Sequence, residues 1–271
     1  DEATLKPRQA NASGNILSYD ISPSGKRLVI EARGEVFTVP KEYGVVRNLT
    51  RSSGVAERWP TWSPDGKLIA YFSDRSGEYE LCIRAEDGSG SETNLTKLGA
   101  GFRYHPQWSP DSKKLAFVDH EMKLWLYDLD KKTNVLADKL LWLYHGELVR
   151  FAVSWSADSR WMAYSGELPS GNGCIAIYDT KEARRHQVTA GFYNDGLPVF
   201  DPAGKYLYFC SGRTFHPVYS DLDATWIYPR TRNLFAVPLR KEVASPLAPR
   251  NDEEGEKKAD DKKEDKKPDA K

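Results

Sequence analysis

The stretch Trp62–Asp74 reads WSPDGKLIAYFSD, and close variants of it return at a regular spacing along the chain. The copies align at positions 21, 62, 108, 155 and 200, so the steps between them are 41, 46, 47 and 45 residues. Each copy is followed by a second apolar strand-like run, and the first four close with a short segment such as RNLT at 47 or TNLT at 93. A period of this length with several strands per unit is typical of a β-propeller, in which each repeat forms one four-stranded blade.

The centre of the motif predicts a tight turn between two strands. Pro64 fixes its φ angle, and Gly66 tolerates a positive φ. Trp62 is predicted to end the innermost strand and to wedge between neighbouring blades. In the fourth copy the turn reads Ala157-Asp158-Ser159, which predicts a slightly less favourable turn in an intact blade. The turn aspartates could also be metal ligands, but each lies in its own blade, which favours the turn role; they are Asp65, Asp111 and Asp158.

Five copies of the repeat predict an all-β fold of four-stranded blades. An open arc of five blades would leave two exposed edges, so we expect a part of a six- or seven-bladed ring, incomplete on its N-terminal side; closure with five is the alternative. We assign residues 1–250 to the propeller. Residues 251–271 carry nine acidic and seven basic side chains without any aromatic or branched aliphatic residue, which predicts a disordered charged linker or tail.

The composition excludes several classes of partner and site. Lys plus Arg equals Asp plus Glu at 39 each, which predicts no general attraction to nucleic acid or to an anionic membrane, and no run of 18 apolar residues predicts a membrane span. Cys82, Cys174 and Cys210 are predicted to be buried free thiols, and the histidine spacing predicts neither a metal site nor a cofactor site. The glycosylation-type sequences at Asn48 and Asn94 fall at equivalent repeat positions, which favours a role in ending strands.

The mouth of the central channel is the predicted binding site. Five residues before each motif copy stand Ile16, Glu57, Arg103, Arg150 and Asp195, and four of these five residues are charged. With aromatic neighbours, such a ring could guide extended peptides without sequence selectivity; a solvated rim of loop charges is the alternative. The candidate peptide-channel residues are Glu57, Arg58, Arg103, Tyr104, His105, Arg150 and Asp195.

An aromatic-rich insertion follows the last motif copy, between residues 212 and 232. It is too long for a hairpin turn, and loops of this length are commonly functional or packed on another domain. Trp226 and Tyr228 are the candidate interface anchors. The alternative is that both side chains pack over their own blade.

The repeats resemble the WD40-like (PD40) propellers of TolB-type proteins and of some peptidases. Two stretches are more specific: residues 33–82, beginning RGEVFTVPKEYG, and residues 211–254, beginning SGRTFHPVYSDL, resemble the second propeller of a bacterial tricorn protease. The resemblance implies a serine peptidase in which two propellers precede a PDZ-like module and a catalytic core, with hexameric assembly. It also implies a cytoplasmic protein as the family default, although a periplasmic one is compatible with the sequence.

The chain contains no GxSxG nucleophile elbow, and in the resembling family the catalytic serine and histidine belong to other domains. The leading hypothesis is therefore a noncatalytic propeller that docks to downstream PDZ and peptidase domains and gates or channels peptides. An independent TolB-like propeller serving as a protein interaction scaffold is the alternative. A propeller with its own active site is disfavoured, because no acid, base or metal constellation recurs near one mouth.

Overall fold

A computed structural model of the protein describes residues 13–248, except residues 142–144, 216 and 220–223. The described residues form five antiparallel sheets that follow one another along the chain, and a separate two-stranded hairpin. Each sheet corresponds to one sequence repeat, so the predicted all-β propeller fold is confirmed. The predicted tail at 251–271 lies outside the described residues.

The strands follow the repeat boundaries. The first blade, preceded by a short 3-10 turn at Ser13–Asn15, consists of β1 (Ile16–Ile21), β2 (Arg27–Ala32), β3 (Glu35–Pro40) and β4 (Arg47–Asn48). The second consists of β5 (Glu57–Trp62), β6 (Leu68–Ser73), β7 (Glu80–Ala85) and β8 (Thr93–Asn94). The third consists of β9 (Arg103–Trp108), β10 (Lys114–Asp119), β11 (Lys123–Asp128) and β12 (Thr133–Lys139).

A short helix, α1 (His145–Arg150), connects the third blade to the fourth, which consists of β13 (Val153–Trp155), β14 (Trp161–Glu167), β15 (Gly173–Asp179) and β16 (Arg184–Gln187). The fifth sheet differs from the predicted four strands. Its described part has three, β17 (Asp195–Phe200), β18 (Tyr206–Ser211) and β21 (Asn233–Pro238). The insertion forms the separate hairpin of β19 (Val218–Tyr219) and β20 (Trp226–Ile227), because its chain leaves the sheet after β18 and rejoins it at β21.

The core consists of apolar layers between successive blades. Trp62, at the end of the inner strand β5, is 6% exposed and packs with Val29 and Val36 of the first blade. Trp108 occupies the same position one repeat later, packs in the layer between the second and third blades, and donates its indole N–H to the backbone oxygen of Thr61 at 3.3 Å. The predicted wedge role of this tryptophan position is therefore confirmed.

Polar side chains join neighbouring inner strands next to these wedges. The Asp20 carboxylate accepts the backbone N–H of Trp62 at 2.8 Å. Between the third and fourth blades the corresponding acceptor is the Gln107 side-chain oxygen, for Val153 N–H, and between the fourth and fifth blades it is the Ser154 hydroxyl, for Phe200 N–H, each at 2.9 Å. Because a strand in one blade cannot pair with the backbone of the next, these side chains supply the cross-blade hydrogen bonds.

The motif turns have the predicted geometry. Gly66 has a φ of 75°, and the Asp65 carboxylate accepts the Ser63 hydroxyl and, at 3.1 Å, the backbone N–H of Lys67. The same arrangement recurs around Asp111 and Asp158. Their role as turn residues is therefore confirmed, since a carboxylate that satisfies local N–H and O–H groups stabilises the turn.

In two of the turns a serine occupies the glycine position and forms a hydrogen bond to the preceding blade. Ser112 and Ser159 adopt φ angles of 60° and 59°, a region unfavourable for a side chain. Their hydroxyls accept the backbone N–H groups of Asp65 and Asp111, the turn aspartates of the preceding blades, each at 3.0 Å. We call these two contacts the serine latches. They offset the expected cost of the turn with a cross-blade hydrogen bond.

The latch at Ser159 predicts an unusual order of variants. Ser159→Ala keeps the strained backbone and leaves the Asp111 N–H without its acceptor, so we expect a loss of about 1 to 2 kcal/mol in the free energy of unfolding. Ser159→Gly loses the same bond but relaxes the backbone by about 1 kcal/mol, so it should be the more stable variant. Urea unfolding of both variants measures this order. Equal stabilities would show that the positive φ is not a significant cost.

The remaining sequence features have structural roles. The Thr50 and Thr96 hydroxyls accept the N–H groups that begin the third-strand pairing, those of Val36 at 3.1 Å and Leu81 at 2.9 Å, which confirms a strand-ending role for the Asn-Leu-Thr segments.

All three cysteines are free; Cys82 and Cys174 are buried, but Cys210 is only half-buried because it lies on the outward side of β18. No helix among the described residues is long and apolar enough to cross a membrane.

Candidate functional site

The candidate site is the end of the propeller at which the inner strands begin. Strand pairing places Glu57 opposite Ser73 and Asp195 opposite Ser211, so equivalent residues lie at one end of each blade. Loops that precede the inner strands converge at this end, which we call the mouth. Such loops on a rigid scaffold are the usual place for binding residues.

A strained bulge recurs in the inner strands just inside the mouth. The third residue of β5, β9 and β17 has a positive φ, 58° at Trp59, 41° at His105 and 57° at Leu197. The pairing register shifts at the same place in all three strands. Bulky residues rarely adopt this conformation, and bulges often mark sites where a strand redirects its side chains.

Two of the bulges are fastened to the preceding blade. The Trp59 N–H donates to the Glu31 carboxylate at 3.1 Å, and the Leu197 N–H donates to the Ser165 hydroxyl at 2.9 Å. Glu31 is 3% exposed and also accepts the Ser18 hydroxyl. The bulged backbone is therefore held by neighbouring blades, which is how a strained conformation persists.

Three of the charged residues predicted to line the mouth are buried. Glu57, Arg103 and Asp195 are 0%, 5% and 4% exposed. The Arg103 guanidinium donates to the backbone oxygens of Tyr79 at 2.9 Å and Gly101 at 2.6 Å, which ties the mouth ends of two blades together. Each of the three charged side chains keeps one buried polar atom without a protein partner in the described residues: Glu57 Oε2, Arg103 Nε and Asp195 Oδ1.

Burial of the Glu57 carboxylate disfavours its charged form. Its carboxylate accepts the Ser52 hydroxyl at 2.6 Å and lies 3.6 Å from the Arg75 guanidinium, which is itself half exposed. Burial outweighs these contacts and raises the pKa of Glu57 above its usual range. The folded protein therefore holds the Glu57 proton more tightly than the unfolded chain does.

This shift predicts a pH-dependent difference between the wild-type chain and Glu57→Gln. Since the folded pKa lies above the unfolded one, the stability contributed by the protonated carboxyl is lost as the pH rises through the folded pKa. Glutamine is neutral throughout, so the free energy of unfolding of the variant relative to wild type should increase from about pH 4 to about pH 8. Urea midpoints at both pH values measure it; a difference that stays constant with pH would contradict the raised pKa.

The other predicted channel residues are not gathered at one point. Tyr104 is buried in the apolar layer between the third and fourth blades, whereas Arg150 is exposed at the end of α1. Arg58 and His105 are half-buried. The His105 ring lies 4.1 Å from the Trp59 ring, and burial lowers the pKa of His105. The accessible part of the predicted set is therefore Arg58, His105 and Arg150.

Two groups of an arginine and two aromatic side chains lie at the mouth and were not predicted from the sequence; we call them the stacks. In the first stack, the Arg58 guanidinium lies 5.7 Å from the ring centre of Tyr79, and that ring lies 5.6 Å from the ring of Phe102. In the second stack, the Arg213 guanidinium lies 4.8 Å from the ring of Tyr193, which lies 5.0 Å from the ring of Phe192. Arginine over an aromatic face is a favourable cation–π arrangement. The outer rings, Phe102 and Phe192, are 53% and 81% exposed.

The insertion presents its aromatic residues in pairs. Tyr219 meets Trp226 edge to face at 5.5 Å, and Phe215 lies 5.7 Å from Tyr228. Trp226 and Tyr228 remain 57% and 51% exposed. These contacts lie within the insertion itself, so about half of each predicted anchor is left open to solvent.

The seam between the fourth and fifth blades is only partly filled. A cavity of about 530 Å³ opens there, away from the mouth. The wedge position of the fifth blade is Phe200 in place of tryptophan, and the latch position is Gly204, which has no hydroxyl. The cavity is lined by Ser156, Ala157, Asp158, Trp161, Ile177, Phe200, Pro202, Ala203, Gly204, Leu239 and Arg240.

Comparison with known proteins places these features in a family. The sequence profile described as tricorn protease second beta propeller domain matches residues 16–271. A tricorn protease homolog from Saccharolobus solfataricus is 26% identical over 209 residues, which is 75% of this chain and 18% of that protein. The chain thus spans about a fifth of the length of this curated relative.

Two solved structures share the fold. The crystal structure of the tricorn protease superposes with a TM-score of 0.75 at 18% sequence identity, covering 87% of this chain and 22% of that chain. A structure described as a TolB protein from Agrobacterium tumefaciens superposes with a TM-score of 0.51 at 20% identity, covering 82% of this chain and 79% of that chain. At these identities the similarity concerns the fold alone.

Proposed function

The chain belongs to the family of tricorn protease second β-propeller domains, and we propose from this that it is the noncatalytic propeller region of a larger serine peptidase. In this role it admits extended peptides at the mouth and passes them toward the catalytic part. Family membership carries the proposal. The mouth adds support, because its bulged strands are held rigidly while Arg58, His105 and Arg150 remain accessible.

The insertion is the proposed contact with the rest of the peptidase. Trp226 and Tyr228 are large aromatic side chains that are half exposed and ordered by their pairing with Tyr219 and Phe215. Residues of this kind anchor protein interfaces when a partner covers them. In this proposal residues 1–250 are the propeller, residues 251–271 are the linker to the PDZ and peptidase domains, and the assembled protein is a cytoplasmic hexamer.

Peptide binding without cleavage tests the proposed channel role. Fluorescein-labelled peptides of mixed sequence, incubated with the chain, should raise fluorescence anisotropy while remaining intact by mass spectrometry. Hydrolysis that a serine-directed inhibitor abolishes would contradict a noncatalytic role. Absence of binding to any peptide would overturn the channel role and favour the TolB-like scaffold.

The docking role needs a separate measurement. Size-exclusion chromatography of the chain mixed with the separately produced downstream domains should show a complex, and Trp226→Ala with Tyr228→Ala should weaken it at least about tenfold, as expected of hot-spot residues. Tyr43→Ala is the matched control, because Tyr43 is 85% exposed on the first blade. Equal complex formation by all variants would show that the insertion does not anchor the interface.

A further inference from the structure

The charge that the mouth offers to a ligand is positive. The carboxylates of the inner strands are withdrawn, since Glu57 and Asp195 are 0% and 4% exposed. Glu78 and Glu121 are exposed at this end, but Glu78 accepts the backbone N–H of Gly101 at 3.2 Å and Glu121 pairs with Lys123. Among the described residues, the cations that stay exposed or half exposed at this end without a carboxylate partner are Arg33, Arg51, Arg58, Lys97, Arg150 and Arg213. An anionic ligand is therefore favoured over a cationic one.

The two stacks at the mouth have the same composition although they arise from different repeat positions. Each consists of an arginine laid on a tyrosine with an exposed phenylalanine beside it. Arg58 and Tyr79 belong to the second blade and Phe102 to the loop before β9, whereas the second stack combines the loop before β17 with the segment after β18. The pattern is therefore a property of the folded mouth and is absent from the repeat consensus.

Both guanidinium groups keep donors for a ligand. Among the described residues, Arg58 and Arg213 form no ion pair with a carboxylate. Arg213 donates its Nε–H to the Ser211 hydroxyl at 3.0 Å, and its guanidinium also lies 4.0 Å from the ring of Phe235, so it is held between two aromatic rings. A planar guanidinium fixed on a ring presents its terminal N–H groups at its edge, where a carboxylate can accept two hydrogen bonds.

We propose that the mouth selects peptides in which an acidic residue stands two positions from an aromatic one, a selectivity that rests on the proposed peptide-admitting function. The carboxylate binds the edge of Arg58 or Arg213, and the aromatic side chain packs on Phe102 or Phe192. An extended peptide advances about 3.3 Å per residue and its successive side chains point to opposite sides, so the side chains of residues i and i+2, about 6.6 Å apart on one side, span the arginine and phenylalanine of one stack. Ring-on-ring contact adds to the charge-assisted bonds.

Four labelled octapeptides test this selectivity by fluorescence anisotropy against the whole chain. The first repeats Glu-Glu-Phe-Phe, which places glutamate and phenylalanine on the same side of an extended chain, and the others replace glutamate by glutamine, glutamate by lysine, or phenylalanine by alanine. We expect the glutamate–phenylalanine peptide to bind about tenfold or more tightly than each of the other three. Its advantage over the glutamine peptide should shrink in high salt, because accessible charges are screened.

Matched variants locate the effect. Arg58→Gln combined with Arg213→Gln should remove most of the preference for glutamate over glutamine, and Phe192→Ala should reduce the preference for phenylalanine over alanine. Arg51→Gln is the control, since Arg51 is an exposed arginine at the same end without a ring contact among the described residues. Circular dichroism verifies that each variant stays folded.

The outcomes separate this inference from the function on which it rests. Equal binding of all four peptides, or a loss of preference in Arg51→Gln as large as in the double variant, would overturn the selectivity and leave the channel role standing. Failure of every peptide to bind would overturn both. A preference that is lost only in the stack variants would support both.

Discussion

Trp108→Ala is expected to lower the free energy of unfolding by about 4 kcal/mol, which is in the range observed when a large buried aromatic side chain is truncated to alanine. Trp108 is 8% exposed and fills the apolar layer between the second and third blades with Phe72 and Phe117. Its indole N–H also donates to the Thr61 backbone oxygen, so the variant loses a cross-blade hydrogen bond as well. The surrounding strands belong to two sheets and cannot collapse into the space without separating their pairing.

Urea unfolding followed by tryptophan fluorescence and circular dichroism measures this loss. Trp226→Ala is the matched control, because Trp226 is the same residue type but 57% exposed in the insertion, and it should change stability by less than about 1 kcal/mol. Equal effects of the two variants would show that the wedge position does not hold the blades together.

Gly173→Ala is expected to cost about 3 kcal/mol for a different reason, which is overpacking against backbone. A Cβ atom at Gly173 would lie 2.5 Å from the backbone oxygen of Asp195 and 2.7 Å from the side-chain oxygen of Asn194. The Gly173 N–H donates to that Asn194 oxygen at 3.1 Å, so the start of β15 is drawn against the start of β17. Backbone cannot rotate away as a flexible side chain can, and the fifth blade would have to shift.

Gly171→Ala controls for backbone strain without a clash. Gly171 has a φ of 83° and no atom within 4 Å of its added Cβ, so the cost should be only about 1 kcal/mol. Thermal and urea unfolding of both variants give the comparison. A Gly173→Ala protein as stable as Gly171→Ala would mean that the two blades separate easily at the mouth.

The repeat motif predicted the parts of the structure that depend on local patterning. Apolar alternation and turn residues repeat every 41 to 47 residues, so strand positions, the wedge role of Trp62 and the turn role of Asp65 follow from the sequence itself. The resemblance to the tricorn second propeller, which rested on two long stretches that extend beyond the generic motif, was also confirmed.

The mouth was less predictable because its geometry depends on contacts between blades. Tryptophan, histidine and leucine share no preference for positive φ, so the bulges at Trp59, His105 and Leu197 leave no sequence signal. Charged residues are usually exposed, so the burial of Glu57 could not be read from its type. The two stacks combine residues from unrelated repeat positions, which only the folded chain brings together.

The resistance of neighbouring blades to separation should differ along the propeller, and it should be lowest at Phe200 and Gly204, between the fourth and fifth blades. Where tryptophan and a serine latch are both present, neighbouring blades should fluctuate as one cooperative unit. Where both are missing, the turn end of the fifth blade should part from the fourth at lower free energy, while the contacts of Gly173 hold the two blades together at the mouth. Amide hydrogens of β17 and β18 should therefore exchange with solvent sooner than those of the central strands β6 and β10. The insertion with its aromatic pairs extends from this fifth blade. A partner that binds the insertion would therefore also restrain the part of the propeller that is expected to open most readily.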